Sequence, residues 1–448
     1  MTLVTTIDTT LTAADIFEAF QAAPQAVFLD SSLKNDLGRF SIIGLNPYRR
    51  LLVKDGQLFV NDTPEAADLF TYLKAYLKDN QEENPTALPL ISGAIGYFSY
   101  DLGRSIEGIP SRHQGFDFFP DCILNFYDNL IIEDLFEKKI YLTAGGHLAD
   151  AETSLETLSE QIKALNAAKP VSDKHYMAVK SSDFVKPDYL AAIDRMIDYI
   201  VAGDIYIANM TRQLQVQSAK PPYEVFKALR KNNPSPFGGY FNYGDFQIVS
   251  ASPERFLRLK DRLVATRPIK GTRKRGATPG EDLALKTELQ NSEKDKSELL
   301  MIVDLERNDL NRVCKPGSVQ VHNLFDVETY ATVFHLVSDV TGELRDDCDF
   351  SDLLKATFPG GSITGAPKIR AMEIIDELEH SARGLYTGSI GYVSLDGCCD
   401  LNIVIRTALY HDGVYHLGAG GGITCESDLE FEFEETEQKA KAPVLAMS

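Results

Sequence analysis

The chain is 448 residues long, with 44% hydrophobic and 25% charged residues, ordinary values for a folded protein with a substantial core. Its formal net charge of -20 argues against non-specific binding to nucleic acids or anionic membranes, because such surfaces need a basic patch. Its six cysteines lack metal-site spacing and no apolar stretch approaches ~18 residues, so we expect a cytoplasmic protein without disulfides, a structural metal or a membrane span.

The first part of the chain, residues 1–165, alternates short apolar runs with turns. Asp55 and Gly56 stand between two such runs and give a strong hairpin signal. The patterns predict strands at 25–30, 40–44, 51–53, 57–60, 124–133 and 138–143, and helices at 69–77 and 149–164. We interpret this part as a mixed α/β layer built on an antiparallel sheet.

Residues 166–186 lose this periodicity and predict an exposed connection to a second part, residues 187–448. Pro187 begins an amphipathic helix that ends before Gly203. Further strands are predicted at 205–217, 239–243, 246–251, 256–260, 262–268, 387–394, 399–410 and 414–419, and helices at 298–307, 349–356 and 367–378. Together these elements predict an α/β protein with large antiparallel sheets covered by helices.

A candidate reactive lysine, Lys270, lies in the stretch Arg-Pro-Ile-Lys-Gly-Thr at 267–272. Proline fixes the backbone before it and Gly271 frees the backbone after it, which predicts a strand-to-loop corner. Glu254 precedes Lys270 by an interval that fits a strand, a turn and a second strand, so the two groups can meet across an antiparallel pair. Such a pair would combine a nucleophile with a proton donor; a surface lysine and a surface ion pair are the alternatives.

Two pairs of carboxylates form a candidate magnesium site. Asp295 and Glu298 are three residues apart, as are Glu432 and Glu435, and helical residues at this spacing share a face. Two such pairs could hold Mg2+ through a few carboxylates, water and a substrate oxygen. A solvated helix face is the alternative.

Two glycine-rich loops are candidate anion sites. The Gly-Ala-Gly-Gly-Gly loop at 418–422 follows an apolar strand and allows main-chain N–H groups to converge on an anion, although a tight turn would use the same residues. A second loop, 359–368, leads into a predicted helix whose first N–H groups could face an anion.

Ordered motifs along nearly the whole chain carry a family resemblance. They are LDS at 29–31, GRFS at 38–41, GYF at 96–98, GDIY at 203–206, SPE at 252–254, MIVDL at 301–305, RNDL at 307–310, HLVS at 335–338, GAPK at 365–368, IR at 405–406 and GAGGG at 418–422. With these motifs the chain resembles the chorismate-utilising enzymes, and most closely their aminodeoxychorismate synthase component I branch. The resemblance implies antiparallel sheets packed as a sandwich with helices outside, as in anthranilate synthase component I.

The resemblance also implies a reaction and a partner. Enzymes of this branch replace the 4-hydroxyl of chorismate with an amino group, giving 4-amino-4-deoxychorismate on the route to para-aminobenzoate and folate. A separate glutaminase subunit supplies the ammonia, and this sequence has no recognisable glutaminase nucleophile motif. We therefore expect a glutaminase to be another polypeptide.

The implied residue roles follow from that reaction. An unprotonated Lys270 would attack C2 of the ring while Glu254 protonates the departing hydroxyl. His335 is a further catalytic candidate, and a histidine of the core is the alternative. Mg2+ would neutralise one substrate carboxylate, held by Glu298 and Glu435 with Asp295 and Glu432 nearby. The residues implied to bind the rest of the substrate are Thr364, Lys368, Tyr386, Arg406, Gly420, Gly421 and Gly422.

Three alternatives remain at the level of sequence. Anthranilate synthase component I usually has a small residue, typically alanine, where Lys270 stands. Isochorismate and salicylate synthases use a lysine to activate water where this chain has Ile207, and aminating enzymes most often have glutamine there. A catalytically silent paralogue that only binds a glutaminase or a metabolite is the third alternative, and the joint presence of Glu254, Lys270 and the four carboxylates argues against it. Residues 29–31 and 39–41 resemble the amino-acid regulatory pocket of the anthranilate branch, and ordinary strand and turn residues are the alternative.

Overall fold

The computed structural model describes residues 2–167, 174–330 and 333–448. The strands are β1 (Leu3–Ile7), β2 (Val27–Asp30), β3 (Phe40–Lys54), β4 (Gln57–Val60), β5 (Thr63–Glu65), β6 (Gly93–Phe98), β7 (Cys122–Asp134), β8 (Lys139–Ala144), β9 (Ala178–Ser182), β10 (Ile207–Ser218), β11 (Phe237–Asn242), β12 (Gln247–Ser252), β13 (Arg255–Lys260), β14 (Leu263–Thr266), β15 (Ile269–Lys274), β16 (Gln320–Thr329), β17 (Val333–Glu343), β18 (Gly365–Ala366), β19 (Ser389–Ser394), β20 (Cys399–Asn402), β21 (Thr407–His411) and β22 (Val414–Ile423). The helices are α1 (Ala13–Phe20), α2 (Leu69–Asp79), α3 (Tyr100–Glu107), α4 (Ala151–Lys163), α5 (Lys186–Ala202), α6 (Pro222–Asn232), α7 (Pro279–Asn291), α8 (Glu293–Asn311), α9 (Phe350–Thr357), α10 (Lys368–Leu378) and α11 (Leu429–Ala446), with a short 3-10 helix at Gly361–Ile363.

The strands form two antiparallel sheets that share the long strands β3 and β7. One sheet runs β9-β10-β22-β21-β12-β11-β2-β3-β7-β8-β1. The other runs β16-β17-β14-β13-β20-β19-β6-β7-β3-β4-β5, and β15 pairs with β17 beside β14. The early part of β3 pairs with β2 and its late part with β4, which is how one strand serves both sheets.

Three apolar layers show that the sheets form a sandwich with helices outside. Residues of both sheets, such as Val27, Ile95 and Ile248, are buried together between them. Helices α2, α8 and α9 pack on the outside of one sheet, and α1, α4, α6 and α11 on the outside of the other. The predicted fold class is therefore confirmed.

Local sequence explains where several helices begin and end. Thr12 and Asp15 form a capping box at the start of α1. Pro187 lies in the first turn of α5, and Gly203 ends that helix with a φ of 86°, a left-handed conformation that suits glycine. The predicted helix at this position is confirmed.

Strands on either side of the predicted connection hydrogen-bond to each other, β2 with β11 and β6 with β19. Strand β9 and the start of α5 fall within that connection, and residues 168–173 lie outside the described part of the chain. The division into 1–165 and 187–448 stays a prediction. None of the described helices is long and apolar enough to cross a membrane.

Candidate active site

A cavity of about 600 Å³, hereafter the site cavity, gathers most of the predicted functional residues. Its walls come from β15, β17, β22, α8, α11 and the loop around Ser362. The predicted residues that line it are Glu254, Lys270, Asp295, Glu298, His335, Tyr386, Arg406, Gly420, Gly422, Glu432 and Glu435. Residues far apart in sequence therefore meet in one place.

Lys270 and Glu254 are joined through Ser362. The Nζ of Lys270 donates a hydrogen bond to the carbonyl of Ser362 at 3.1 Å, and the Ser362 hydroxyl donates to Oε1 of Glu254 at 2.9 Å. Lys270 lies within β15 rather than at a strand-to-loop corner. The pairing with β17 shifts register between Lys270 and Thr272, where Gly271 has a φ of 75°.

The predicted contact between Glu254 and Lys270 across a strand pair is wrong. Strand β13, which follows Glu254, pairs with β14 and β20, whereas β15 pairs with β17. The loop that carries Ser362 brings the two side chains together instead. Burial raises the pKa of the Glu254 carboxyl, while the Ser362 hydrogen bond and the Lys270 charge oppose that rise. A carboxyl with a raised pKa is better suited to proton donation than an exposed glutamate.

His335 faces the cavity from β17, opposite Thr272 on β15. Its Nδ1 lies 2.9 Å from the Thr272 hydroxyl. Burial lowers the pKa of His335 to about 4, and the nearby charge of Arg406 acts in the same direction. At neutral pH the ring is therefore uncharged.

Arg406 is one of the cationic side chains that line the site cavity. It lies between β20 and β21 with a φ of 51°, a backbone conformation that costs about 1–3 kcal/mol for a non-glycine residue. The Arg406 side chain is half-buried, and within the described chain no hydrogen bond or ion pair involves its guanidinium. Burial lowers the pKa of Arg406, and the charge of Glu254 opposes this. A half-buried guanidinium without a partner can bind an anionic ligand.

Two predicted substrate-binding side chains lie elsewhere. Lys368 is buried, with its Nζ 2.5 Å from Asp309 and 2.8 Å from the carbonyl of Thr357. The Thr364 hydroxyl donates to the carbonyl of Gly360 at 2.7 Å. Neither side chain lines the site cavity. The expectation that they bind substrate there with Arg406 is therefore corrected, since the Lys368 amine is held by Asp309 and Thr357 and the Thr364 hydroxyl by Gly360.

The four carboxylates converge from two helices. Asp295 and Glu298 are on α8, and Glu432 and Glu435 are on α11. Burial raises the pKa of Glu298 and of Glu432, and in each case neighbouring carboxylates add to the rise. Gly421 packs against this cluster, since a Cβ there would lie 2.7 Å from Oε2 of Glu435 and 3.0 Å from Oε2 of Glu432.

Three basic side chains form ion pairs with these carboxylates. Lys294 lies 3.9 Å from both Glu298 and Glu432, and Lys439 lies 3.2 Å from Glu435. Arg273 lies 2.9 Å from Asp295. Among residues 2–167, 174–330 and 333–448, no three His, Cys, Asp or Glu side chains are arranged as ligands of one metal ion. The oxygen donors are nonetheless of the kind that Mg2+ prefers.

Sequence analysis missed Ser362, Lys294 and Lys439 as parts of the site. Ser362 stands in a glycine-rich loop whose sequence predicts an anion site formed by N–H groups and no role for the serine hydroxyl. Lys294 and Lys439 are each four residues from a predicted metal-site glutamate on the same helix, a spacing that pairs opposite charges. That spacing could have identified the two lysines.

A separate cavity of about 490 Å³ involves the residues that resemble a regulatory pocket. Asp30, Ser31, Arg39 and Phe40 all line it. This cavity shares no lining residue with the site cavity.

Known proteins are similar to this chain in sequence and in fold. Anthranilate synthase component 1 of Cereibacter sphaeroides is 37% identical over 429 residues, covering 90% of this chain and 85% of the relative. Aminodeoxychorismate synthase component 1 of Bacillus subtilis is 37% identical over 415 residues, covering 90% and 88%. The crystal structure of anthranilate synthase component I from Streptococcus pneumoniae TIGR4 superposes with a TM-score of 0.83 at 31% identity, covering 92% of this chain and 93% of that one. A sequence model described as chorismate binding enzyme matches residues 25–444, and the chain belongs to that family.

Proposed function

We propose that this chain is component I of an aminodeoxychorismate synthase, which converts chorismate and ammonia to 4-amino-4-deoxychorismate. The proposal depends on the position of Lys270, which lines the site cavity with Glu254 and is linked to it through Ser362. Relatives named for either product are equally similar, so the choice between them depends on this lysine. In the anthranilate branch a small residue usually stands there.

The proposed chemistry uses the two groups in sequence. The Lys270 amine attacks C2 of chorismate, the ring double bond shifts, and the C4–O bond breaks as Glu254 gives its proton to the departing hydroxyl. Ammonia then attacks C4, the bond between C2 and the lysine nitrogen breaks, and the amine is regenerated. The new ammonium at C4 returns a proton to Glu254. The balance is chorismate plus ammonia to aminodeoxychorismate plus water.

The proposal includes substrate and metal positions. The free guanidinium of Arg406, together with Tyr386 and the N–H groups of Gly420 and Gly422, would hold one substrate carboxylate. Glu298 and Glu435, with Asp295 and Glu432 nearby, would hold Mg2+ after Lys294 and Lys439 release them. When bound, the ion would neutralise the second substrate carboxylate.

Product analysis tests the function. The purified chain is incubated with chorismate, Mg2+ and an ammonium salt, and the products are separated with and without an added aminodeoxychorismate lyase. We expect aminodeoxychorismate, which the lyase converts to para-aminobenzoate. We expect Lys270→Ala to lose about 10³-fold or more of that rate, whereas Lys274→Ala, an exposed lysine on the same strand, keeps it.

Other outcomes have distinct meanings. Anthranilate as the product would overturn the assignment and place the chain in the anthranilate branch. Near-normal amination by Lys270→Ala would remove the nucleophile role. Absence of any product with ammonium salt would favour an obligatory partner subunit or a silent paralogue.

A further inference from the structure

Asn209 on β10 has an unpartnered side-chain amide in the wall of the site cavity. The residue lines that cavity, and within the described part of the chain its buried Oδ1 accepts no hydrogen bond. A buried carbonyl oxygen without a donor is costly, and such atoms are rare in folded proteins. The unused amide therefore points to a ligand.

The main chain of Asn209 is held on both sides. Its N–H donates to the carbonyl of Thr364 at 2.8 Å, and its carbonyl accepts a hydrogen bond from the Arg383 guanidinium at 2.6 Å. Thr364 belongs to the loop that carries Ser362, and the Ser362 carbonyl accepts the hydrogen bond of the Lys270 amine. One loop thus anchors both Asn209 and the proposed nucleophile.

Asn209 and Lys270 flank the same short stretch of the cavity. Asn209 is paired with Gly422 in the antiparallel ladder of β10 and β22, and side chains so paired start about 4.5–5.5 Å apart. A Cβ on Gly422 would lie 3.4 Å from Nζ of Lys270 and 3.6 Å from Cδ1 of Ile207. Ile207 lies on the same face of β10, two residues before Asn209, and has no hydrogen-bonding group in its side chain.

The amide of Asn209 can turn its oxygen toward the cavity. Its buried Oδ1 and the carbonyl oxygen of Met210 lie near one point, since a Cβ on Gly420 would be 2.9 Å from the first and 2.5 Å from the second. Two acceptors on one side of an amide favour the opposite rotamer. A half-turn about χ2 places Nδ2 on the side of the Met210 carbonyl and Oδ1 on the opposite side, toward the cavity.

A free acceptor beside Lys270 suits a small neutral hydrogen-bond donor. The two carboxylates of chorismate are acceptors, and in the proposed reaction its 4-hydroxyl receives a proton from Glu254. The Lys270 amine already donates to the Ser362 carbonyl. Ammonia, the remaining reactant, can donate through an N–H while its lone pair attacks. Its target, C4, is separated by one ring carbon from C2, where the lysine would bind.

We propose that Asn209 binds the incoming ammonia and directs its lone pair to C4, an inference that rests on the proposed function. Oδ1 accepts a hydrogen bond from one N–H, which leaves the lone pair free for the attack. No covalent bond to Asn209 forms or breaks, so the balance of the proposed reaction is unchanged.

Steady-state kinetics of two variants test the inference. Asn209→Leu keeps the size of the side chain and removes the acceptor, whereas Asn209→Asp keeps an acceptor oxygen. Asn232→Leu, at an exposed asparagine at the end of α6, is the matched control. The KM for ammonium and the KM for chorismate are measured separately at one pH, and the product of each variant is identified.

We expect Asn209→Leu to raise the KM for ammonium about threefold to tenfold, the effect of one lost hydrogen bond, and to keep the KM for chorismate within about twofold. That unchanged constant also shows that the variant is folded. Asn209→Asp should keep the KM for ammonium within about twofold and raise the KM for chorismate, because its carboxylate repels a dianion. The control should match wild type in both constants.

An unchanged KM for ammonium in Asn209→Leu would overturn the proposal. So would a rise in the KM for chorismate alone, because the amide would then bind the substrate. Product identity separates this inference from the proposed function. If the aminated product is anthranilate, the assigned reaction fails, while a raised KM for ammonium in Asn209→Leu still supports ammonia binding by Asn209.

Discussion

Ser362 connects the two reacting groups, and this contact leads to a prediction for Glu254. Glu254→Gln keeps an oxygen that accepts the Ser362 hydrogen bond but has no proton to give to the departing hydroxyl. We expect the ammonium-dependent rate to fall about 10²–10⁴-fold. Ser362→Ala, which keeps the carboxyl, should cost less.

The raised pKa of Glu254 determines how activity depends on pH. Burial raises the pKa of Glu254, so the acid stays protonated to higher pH than an exposed glutamate and activity falls as pH rises through the raised pKa. The alkaline decline of kcat that reports Glu254 should be absent from the residual activity of Glu254→Gln. A Gln variant with near-normal rate and the same decline would remove Glu254 from the acid role.

Glu298 provides a residue-scale test of the proposed magnesium site. Glu298→Ala removes one carboxylate from the cluster, so the remaining oxygens should bind Mg2+ less tightly. We expect the Mg2+ concentration for half-maximal activity to rise about tenfold or more. Glu293→Ala, on the same helix with a side chain 87% exposed, is the control. Identical magnesium titrations for the two variants would mean that these carboxylates bind no catalytic ion.

At the scale of elements, the alternation of apolar residues predicted the positions of the strands. It did not predict strand ends where a bulge or a positive φ bends the backbone between the two sheets. The strands predicted at 40–44 and 51–53 are one strand, β3, because a bulge near Pro47 bends it while its pairing with β7 continues. Conversely, the strand predicted at 399–410 is two strands, β20 and β21, interrupted where Arg406 adopts a positive φ. That interruption is what presents Arg406 to the site.

Site residues could be predicted where local spacing alone positions them, but not where distant parts of the chain must meet. The paired carboxylates could be predicted because helical spacing alone places each pair on one face. The role of Ser362 could not, because it depends on a loop from one part of the chain meeting β15 from another. Lys368 was misplaced for a similar reason, since its buried partner Asp309 comes from a different helix.

Arg383 shows how one buried side chain fixes two site elements. Its guanidinium donates to the carbonyl of Ile363 beside Ser362 at 2.8 Å and to the carbonyl of Asn209 on β10 at 2.6 Å. It also pairs with Glu379 at 2.7 Å, with side chains only 1% and 4% exposed. Thr211 donates to the same carboxylate through its amide and its hydroxyl. The pair therefore joins the Ser362 loop to β10.

We expect Arg383→Leu to lower the free energy of unfolding by about 3–5 kcal/mol, because it leaves the Glu379 charge buried without its partner. Arg195→Leu, which breaks an exposed pair with Asp198, should change it by less than about 1 kcal/mol. Urea denaturation of both variants makes the comparison. Equal, small effects would show that Arg383 does not hold these elements together.

For the whole molecule, a titratable group beneath the site couples stability to pH. Glu306 on α8 is buried, and its Oε2 accepts a hydrogen bond from the Thr266 hydroxyl at 2.9 Å. Burial raises the pKa of Glu306 to about 8, and the charges of Glu254 and Asp309 add to the rise. In the unfolded chain a glutamate titrates near ~4.3. Between about pH 4.3 and pH 8, Glu306 therefore keeps its proton in the folded state and has lost it in the unfolded state.

Because the pKa of Glu306 is higher in the folded than in the unfolded chain, the free energy of unfolding falls as pH rises. The stability that protonated Glu306 contributes is fully present below about pH 4.3 and is lost as pH rises through about 8. Glu306→Gln keeps an acceptor for Thr266 but never ionises, so it should escape the loss. Between pH 6 and 8.5 we expect the unfolding free energy of wild type to fall by about 2 kcal/mol more than that of the variant. Glu156→Gln, at an exposed site on α4, should follow wild type. Urea denaturation at both pH values provides the measurement, and parallel pH dependences for wild type and Glu306→Gln would mean that Glu306 titrates as an ordinary glutamate.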